Sequence, residues 1–450
     1  MNRLRAILCL VLLVLLAPLS IARADEGVKY NLPAGRMLVY SVHMDNVINE
    51  RTTAFDGRWE FTVLRKNADG SLRIAAIKAQ SQTSTVNGQS RSSPEVISRG
   101  YFDMTLDGKM KMNPCFTPPF NPQIVLPRLP TSADEIAKGW NDLYERSYVI
   151  TRFTMKDPDG QQLVFLGEET GPYHTIHERF DKWTYHFDPA KGLVTQVQGD
   201  NGQTYGSQQK GTAQITLEKE EQIDPADLKA LADEHDTFVK AYEQSDELAR
   251  KAVAGLGNSE ELLQKAQDVL NEGNGAATLE PTKADYADAL AKLQSLTARQ
   301  KYDSQRLEPL LNQPAPDFSL TDSKGETHKL ADLKGKVVVL DFFRRIVNQS
   351  AFTIPQVVQV ASEMKDKPVV FLGMNNDSDE DLKVITDATA IPYPILKLEG
   401  QPADFGLQQV FGTVIIDQKG NIRAVMQGYS KSRGRDVKEH VEELLKNPEK

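Results

Sequence analysis

The stretch KVVVLDFF, residues 336–343, decides how this chain is read. It is apolar without alternation, rich in β-branched and aromatic residues, and bounded by Lys334-Gly335 in front and Arg344-Arg345 behind. A strand that is buried on only one face alternates apolar with polar residues, so an unbroken run of this kind describes a strand covered on both faces. PVVFLGM (368–374) has the same character. TVIIDQKGNI (413–422) reads as strand, Lys419-Gly420 turn, strand, and the residues from Asp436 to Leu445 follow the helical period. The expected unit is a mixed sheet flanked by helices, with the two apolar runs as adjacent central strands.

The order PAPDFSL (314–320), GKVVVLDFF (335–343) and VIIDQKGNI (414–422) resembles the redoxin superfamily. The likeness is to exported thioredoxin-like reductases of the TlpA type and, more distantly, to peroxiredoxins. It covers about a third of the chain and implies a thioredoxin-like α/β domain over residues 307–450. In that family the strand matching VVVLDFF leads into a Cys-x-x-Cys turn at a helix N-terminus, where the first thiol's pKa is lowered and the second resolves the mixed disulfide.

Here the matching positions hold Val347 and Ser350, with Asn348 and Gln349 between them, and Pro355 matches the proline usual within the following helix. On the peroxiredoxin alignment the cysteine position falls near Phe352, and residues 307–450 contain no cysteine at all. The family's cis-proline, which faces the thiols and holds substrate backbone, falls on Phe411 or Gly412. A cis bond before a non-proline residue would cost about 2.5–4 kcal/mol. Asp341 matches the buried acid below the family's active site. Without thiols it is expected to be a hydrogen-bonded carboxylate, or one paired with a lysine.

Working outward, residues 25–220 alternate apolar and polar positions in short runs such as RWEFTVL (58–64) and QQLVFLG (161–167), broken by Asp69-Gly70, Asp107-Gly108, Asp157-Pro158-Asp159-Gly160 and Asn201-Gly202. That pattern predicts a separate antiparallel β domain, barrel-like or half-barrel-like. A faint echo between YFDMTLDGKM (101–110) and YHFDPAKGLV (185–194) suggests two similar sheet halves. The proline-dense FTPPFNPQIVLPRLP (116–130) is expected to cross the surface in extended form. From 221 to 306 the period becomes helical: Leu228, Leu231, His235, Phe238 and Tyr242 mark one helix face. Two more helices follow, with breaks expected at Gly255-Leu256-Gly257 and at Asn271 to Gly275. The fold class is therefore multidomain α+β.

The first 24 residues have the parts of a secretory signal: Arg3 and Arg5, an apolar run shorter than a membrane span, and Ala22-Arg23-Ala24 as the cleavage site. Export to a periplasmic or extracellular space is expected, with no stable membrane span after cleavage. Formal charge is −9, and loss of the leader's three arginines leaves the chain more acidic, which argues against nucleic acid as a partner. Of the two cysteines, Cys9 lies in the leader, so Cys115 has no intramolecular partner.

Other candidates carry less. His174, His177 and His186, with Glu178 and Asp188, are read as strand residues, whose side chains alternate between faces and do not make a metal set. Trp140, Trp183, Tyr185 and Phe187 could line a cavity or pack a core. Arg344 and Arg345 are read as a solvated pair, with an anion or a partner's carboxylate as the alternative. No catalytic residue, cofactor or metal is expected. The sequence points to a redox-inactive binding or scaffolding module with an unidentified protein partner. The alternatives are an oxidoreductase working through an unusual or partner thiol, and a small-molecule or lipid carrier built on the β domain.

Overall fold

The computed structural model describes residues 27–48, 51–112, 116, 118, 120–144, 149–157, 161–170, 182–201, 209–345, 350–398 and 402–447. The signal segment, Cys115, His174, His177, Glu178, Val347, Asn348, Gln349 and the turns at Pro158–Gly160 and Gly202 lie outside them.

Twelve antiparallel strands form the N-terminal sheet. They are β1 (Arg36–Ile48), β2 (Arg51–Lys66), β3 (Leu72–Val86), β4 (Gln89–Ser92), β5 (Val96–Met104), β6 (Met110–Met112), β7 (Trp140–Tyr144), β8 (Val149–Asp157), β9 (Leu163–Thr170), β10 (Lys182–Asp188), β11 (Leu193–Asn201) and β12 (Gln209–Gln222). Their order is β6-β5-β3-β2-β1-β12-β11-β10-β9-β8-β7, with β4 paired to β3 beside that path. Among the described residues β6 and β7 do not pair, so the sheet stays open. It still shares one core, because Phe102 of β5 and Phe153 of β8 belong to the same buried cluster as Tyr40, Phe61 and Ile215 near the middle.

Two expectations for the β domain are corrected. The 116–130 segment is not a surface crossing: Val125, Leu126 and Leu129 are fully buried and Phe120 packs on Trp59, ring centroids 5.0 Å apart. Proline excluded it from the ladder, but its apolar side chains fill the concavity that an open curled sheet cannot close by itself. The echo between 101–110 and 185–194 does not mark equivalent positions either, since β5–β6 is an outer edge while β10–β11 adjoins β12 near the centre.

A short helix α1 (Ala133–Lys138) precedes β7, and three long helices follow β12: α2 (Pro225–Ala254), α3 (Ser259–Ala276) and α4 (Glu280–Leu307). Asp224 caps α2, accepting from Ala226 N at 2.8 Å, and Gly255 ends it in the left-handed conformation at φ +74°. His235 and Phe238 are buried as the stripe requires. The break expected at Asn271–Gly275 is absent. α3 runs through it, because Tyr286 of α4 lies where a Cβ on Gly273 would stand, and close packing outweighs glycine's weak helix propensity. These helices pack on the outside of the sheet through Tyr101, Phe116 and Ala75.

The C-terminal part contains a two-stranded ribbon, β13 (Ser319–Thr321) and β14 (Thr327–Lys329), and a five-stranded sheet. That sheet is built from β15 (Val337–Phe342), β16 (Val369–Asn375), β17 (Ile395–Lys397), β18 (Gly412–Ile416) and β19 (Ile422–Gln427), with helices α5 (Ser350–Glu363), α6 (Asp379–Ala388) and α7 (Arg433–Lys446). Its order is β17-β16-β15-β18-β19; β15 is parallel to β16 and antiparallel to β18. Every residue of β15 is buried, as its unbroken apolarity requires.

α2 and α7 are locked together by charge. Arg250 Nη1 donates to Asp436 Oδ1 at 2.5 Å and Nη2 to Glu247 and Glu439 at 2.7 and 3.2 Å, and His440 Nε2 donates to Ala254 O at 2.5 Å. Lys431 pairs with Asp246 and Arg435 with Glu247 around this centre.

Candidate functional site

The site begins where β15 ends. Phe343 is fully buried, the chain turns out at Arg344 and Arg345, and α5 opens on Ser350, which is itself buried. Ser350 Oγ accepts a hydrogen bond from Arg344 N at 3.3 Å, so the hydroxyl ties the helix start to the end of the strand. Pro355 lies inside α5.

Asp377, just after β16, organises the same turn. Its carboxylate accepts from Arg344 Nε at 3.1 Å, from the backbone N–H of Arg345 at 2.7 Å and from Asn375 Nδ2 at 3.0 Å. Asn375 Nδ2 also donates to Phe343 O at 2.8 Å. Arg345 pairs with Asp381. The two arginines stay 38% and 31% exposed, yet carboxylates of their own chain hold them, and the side chain of Asp377 is only 2% exposed. A buried carboxylate is tolerated when its oxygens are fully occupied by charged and backbone donors, as here.

One turn deeper, Asp341 is enclosed on the α5 and α7 side of the sheet. Tyr393 Oη donates to its Oδ2 at 2.9 Å. Burial raises its pKa to about 6, while the Tyr393 hydrogen bond and the charge of buried Arg433 pull the other way. Thr413 is its partner across the β15–β18 ladder and adds a weaker pull, although the hydroxyl stops short of ordinary hydrogen-bond geometry. The expected hydrogen bond is present; the nearby cation is an arginine rather than a lysine. Arg433 is fixed by Met426 O at 2.8 Å and Gly428 O at 2.6 Å, and burial lowers its pKa to about 10.

Phe411 and Gly412 stand at the start of β18, and no cis peptide bond occurs among the described residues. A side chain on Gly412 would come within 2.6 Å of Met426 O, so this corner of the sheet requires glycine. Phe411 is buried and its carbonyl accepts from Gly428 N at 3.2 Å, leaving it closed against the neighbouring loop.

The remaining candidates resolve plainly. Trp140, Trp183, Tyr185 and Phe187 are all buried, with Trp140 stacked on Phe153 at 5.4 Å and Tyr185 on Phe165 at 4.9 Å; they are core, not a cavity wall. His186 points to the opposite face from those aromatics, and Asp188 closes a turn through Ala190 N and Lys191 N. Asp322, Glu326 and His328 bring one ligand atom each within 4.8 Å of the others. The oxygens of Asp322 are already taken by Lys324 N, Glu326 N and His328, which is how a hairpin turn is closed. Asp377 and Tyr393 went unseen in the sequence, since a lone acid after a strand and a lone tyrosine before a short one carry no spacing signal.

The matches to known proteins fall in the C-terminal part of the chain. The AhpC/TSA family matches residues 311–425. Thioredoxin-like protein YneN of Bacillus subtilis (strain 168) is 30% identical over 133 residues, 29% of this chain and 78% of that protein. Thiol-disulfide oxidoreductase ResA of Geobacillus thermodenitrificans (strain NG80-2) is 24% identical over 133 residues, 29% of this chain and 75% of that one. Among solved structures, a thioredoxin-family thiol:disulfide interchange protein from Chlorobium tepidum TLS is 25% identical with a TM-score of 0.26, covering 30% of this chain and 97% of that one. Through its C-terminal part the chain belongs to the thioredoxin-like redoxins.

Proposed function

We infer that this is an exported, redox-inactive member of the thioredoxin-like redoxins, whose C-terminal domain serves as a binding or scaffolding module for a protein partner. One observation carries the reading: the helix that opens after β15 begins with Ser350, whose hydroxyl is spent on Arg344 N, and residues 307–450 hold no cysteine. Disulfide exchange requires a thiolate, and a hydroxyl forms no sulfur bridge whatever helix dipole it feels. In the family's pattern Val347 and Ser350 occupy the cysteine positions, Asp341 the buried acid, and Phe411 or Gly412 the proline position. With Phe411 buried there, the usual clamp on substrate backbone is missing as well. Export rests on the leader-like first 24 residues; among the described residues no helix is long and apolar enough to cross a membrane.

Restoring the pair tests the alignment. Val347→Cys with Ser350→Cys places two thiols one helical turn apart and is expected to give a reducible disulfide, seen as a change in free-thiol count. Failure of that bridge to form under mild oxidation would show that the positions are misassigned. Insulin reduction by the double variant should stay poor, because Phe411 remains.

A further inference from the structure

The β domain carries an unexplained polar row. Ser98 of β5, Lys78 of β3 and Trp59 of β2 are direct cross-strand neighbours, so all three side chains stand on the inner face of the sheet. Trp59 is 3% exposed, yet its indole Nε1–H has no hydrogen-bond partner among the described residues. Lys78 is half-buried, and no carboxylate or hydrogen-bond acceptor is found for it among the described residues. Its ammonium stands 6.0 Å from the centre of the Phe120 ring, the ring on which Trp59 also packs.

Leaving such donors unmet is costly. An orphan buried N–H loses its solvation without replacement, and an ammonium removed from water without a counter-ion is worse placed still. Burial pulls the Lys78 pKa down, with no acid opposing it. A half-barrel core gains nothing from a lysine at this position, where the neighbouring rows supply Val42, Phe61 and Ile215. One row nearer the rim on the same face stands Val96, 58% exposed, followed by half-buried Phe55 and Met44. The face thus offers one positive charge and two further polar hydrogens at its inner end, with Val96, Phe55 and Met44 leading outward beside Gln80 and Gln82.

We propose that Lys78, Trp59 and Ser98 form the head-group site for a monocarboxylate with an apolar tail, the tail lying along Phe55, Met44 and Val96. A single carboxylate matches the single cation, and its second oxygen can accept from the indole N–H or the serine hydroxyl. The apolar rim supplies area that a bare anion could not use. The site is independent of the redoxin domain's inactivity, and it differs from the packed aromatic group at the other end of the sheet.

Calorimetric titration of the chain from Asp25 onward with decanoate, decanol and acetate tests it. One decanoate should bind per chain, with decanol and acetate at least tenfold weaker. Lys78→Met should weaken decanoate at least tenfold while raising the thermal midpoint, since the substitution removes an unpaired half-buried charge but keeps the stem. Trp59→Phe should weaken it several-fold, and Lys109→Met, at an exposed turn, should leave it unchanged. Absence of decanoate binding, equal binding of decanol or acetate, or an unchanged affinity in Lys78→Met each overturns the proposal.

Discussion

Arg344 Nε and Asp377 Oδ1 are 3.1 Å apart, and the same carboxylate accepts from Arg345 N at 2.7 Å, so the end of the central strand is clasped to the segment after its neighbour.

Asp377→Ala should therefore destabilise the protein by about 2–4 kcal/mol, because it orphans two guanidinium or backbone donors and the Asn375 amide at once. Urea denaturation read by circular dichroism checks this. A change below about 0.5 kcal/mol would mean that water replaces the clasp at no cost.

Asp341 gives a pH signature. Its folded pKa of about 6 lies above the ordinary 3.8, so the folded state holds the proton more tightly than the unfolded chain does. Stability then falls as pH rises between those values and stays lower above them, with a total of about 2–3 kcal/mol. Asp341→Asn keeps an acceptor for Tyr393 and removes the charge. Its thermal midpoint should exceed that of the unaltered chain at pH 7.5, and the advantage should shrink towards pH 4. An advantage that does not depend on pH would rule out ionisation as the cause.

The Arg250–Asp436 contact predicts how the C-terminal domain is held. Both side chains are 5% exposed, so Arg250→Met leaves a buried carboxylate unpaired at a cost of about 3 kcal/mol. Proteolysis between α2 and α7 should quicken in that variant. Adding Asp436→Leu should recover part of the loss, and failure to recover any would assign the effect to packing of the arginine stem.

Asp341 could be named from the sequence, whereas the Asp377 clasp and the Arg250–Asp436 pair could not. β15 and β16 were legible because burial on both faces writes an unbroken apolar run, and the helical face of α2 because His235 and Phe238 fall on one stripe. The burial of Val125, Leu126 and Leu129 was hidden by prolines, which report backbone conformation and not depth. Gly273 looked like a break because the demand for space comes from Tyr286, on another helix. The ion pairs of Arg344 and Arg345 were hidden because their acids lie more than thirty residues away in sequence. The resemblance to the redoxins put Ser350 at the start of a helix, whereas its bond to Arg344 N needed the fold.

Insulin-disulfide reduction by the unmodified chain from Asp25 onward, run beside its Cys115→Ser variant, bears on all of this most directly. The absence of a thiol in residues 307–450 predicts turnover equal to the no-enzyme control for both proteins. Reduction above that control that survives Cys115→Ser would contradict the redox-inactive assignment.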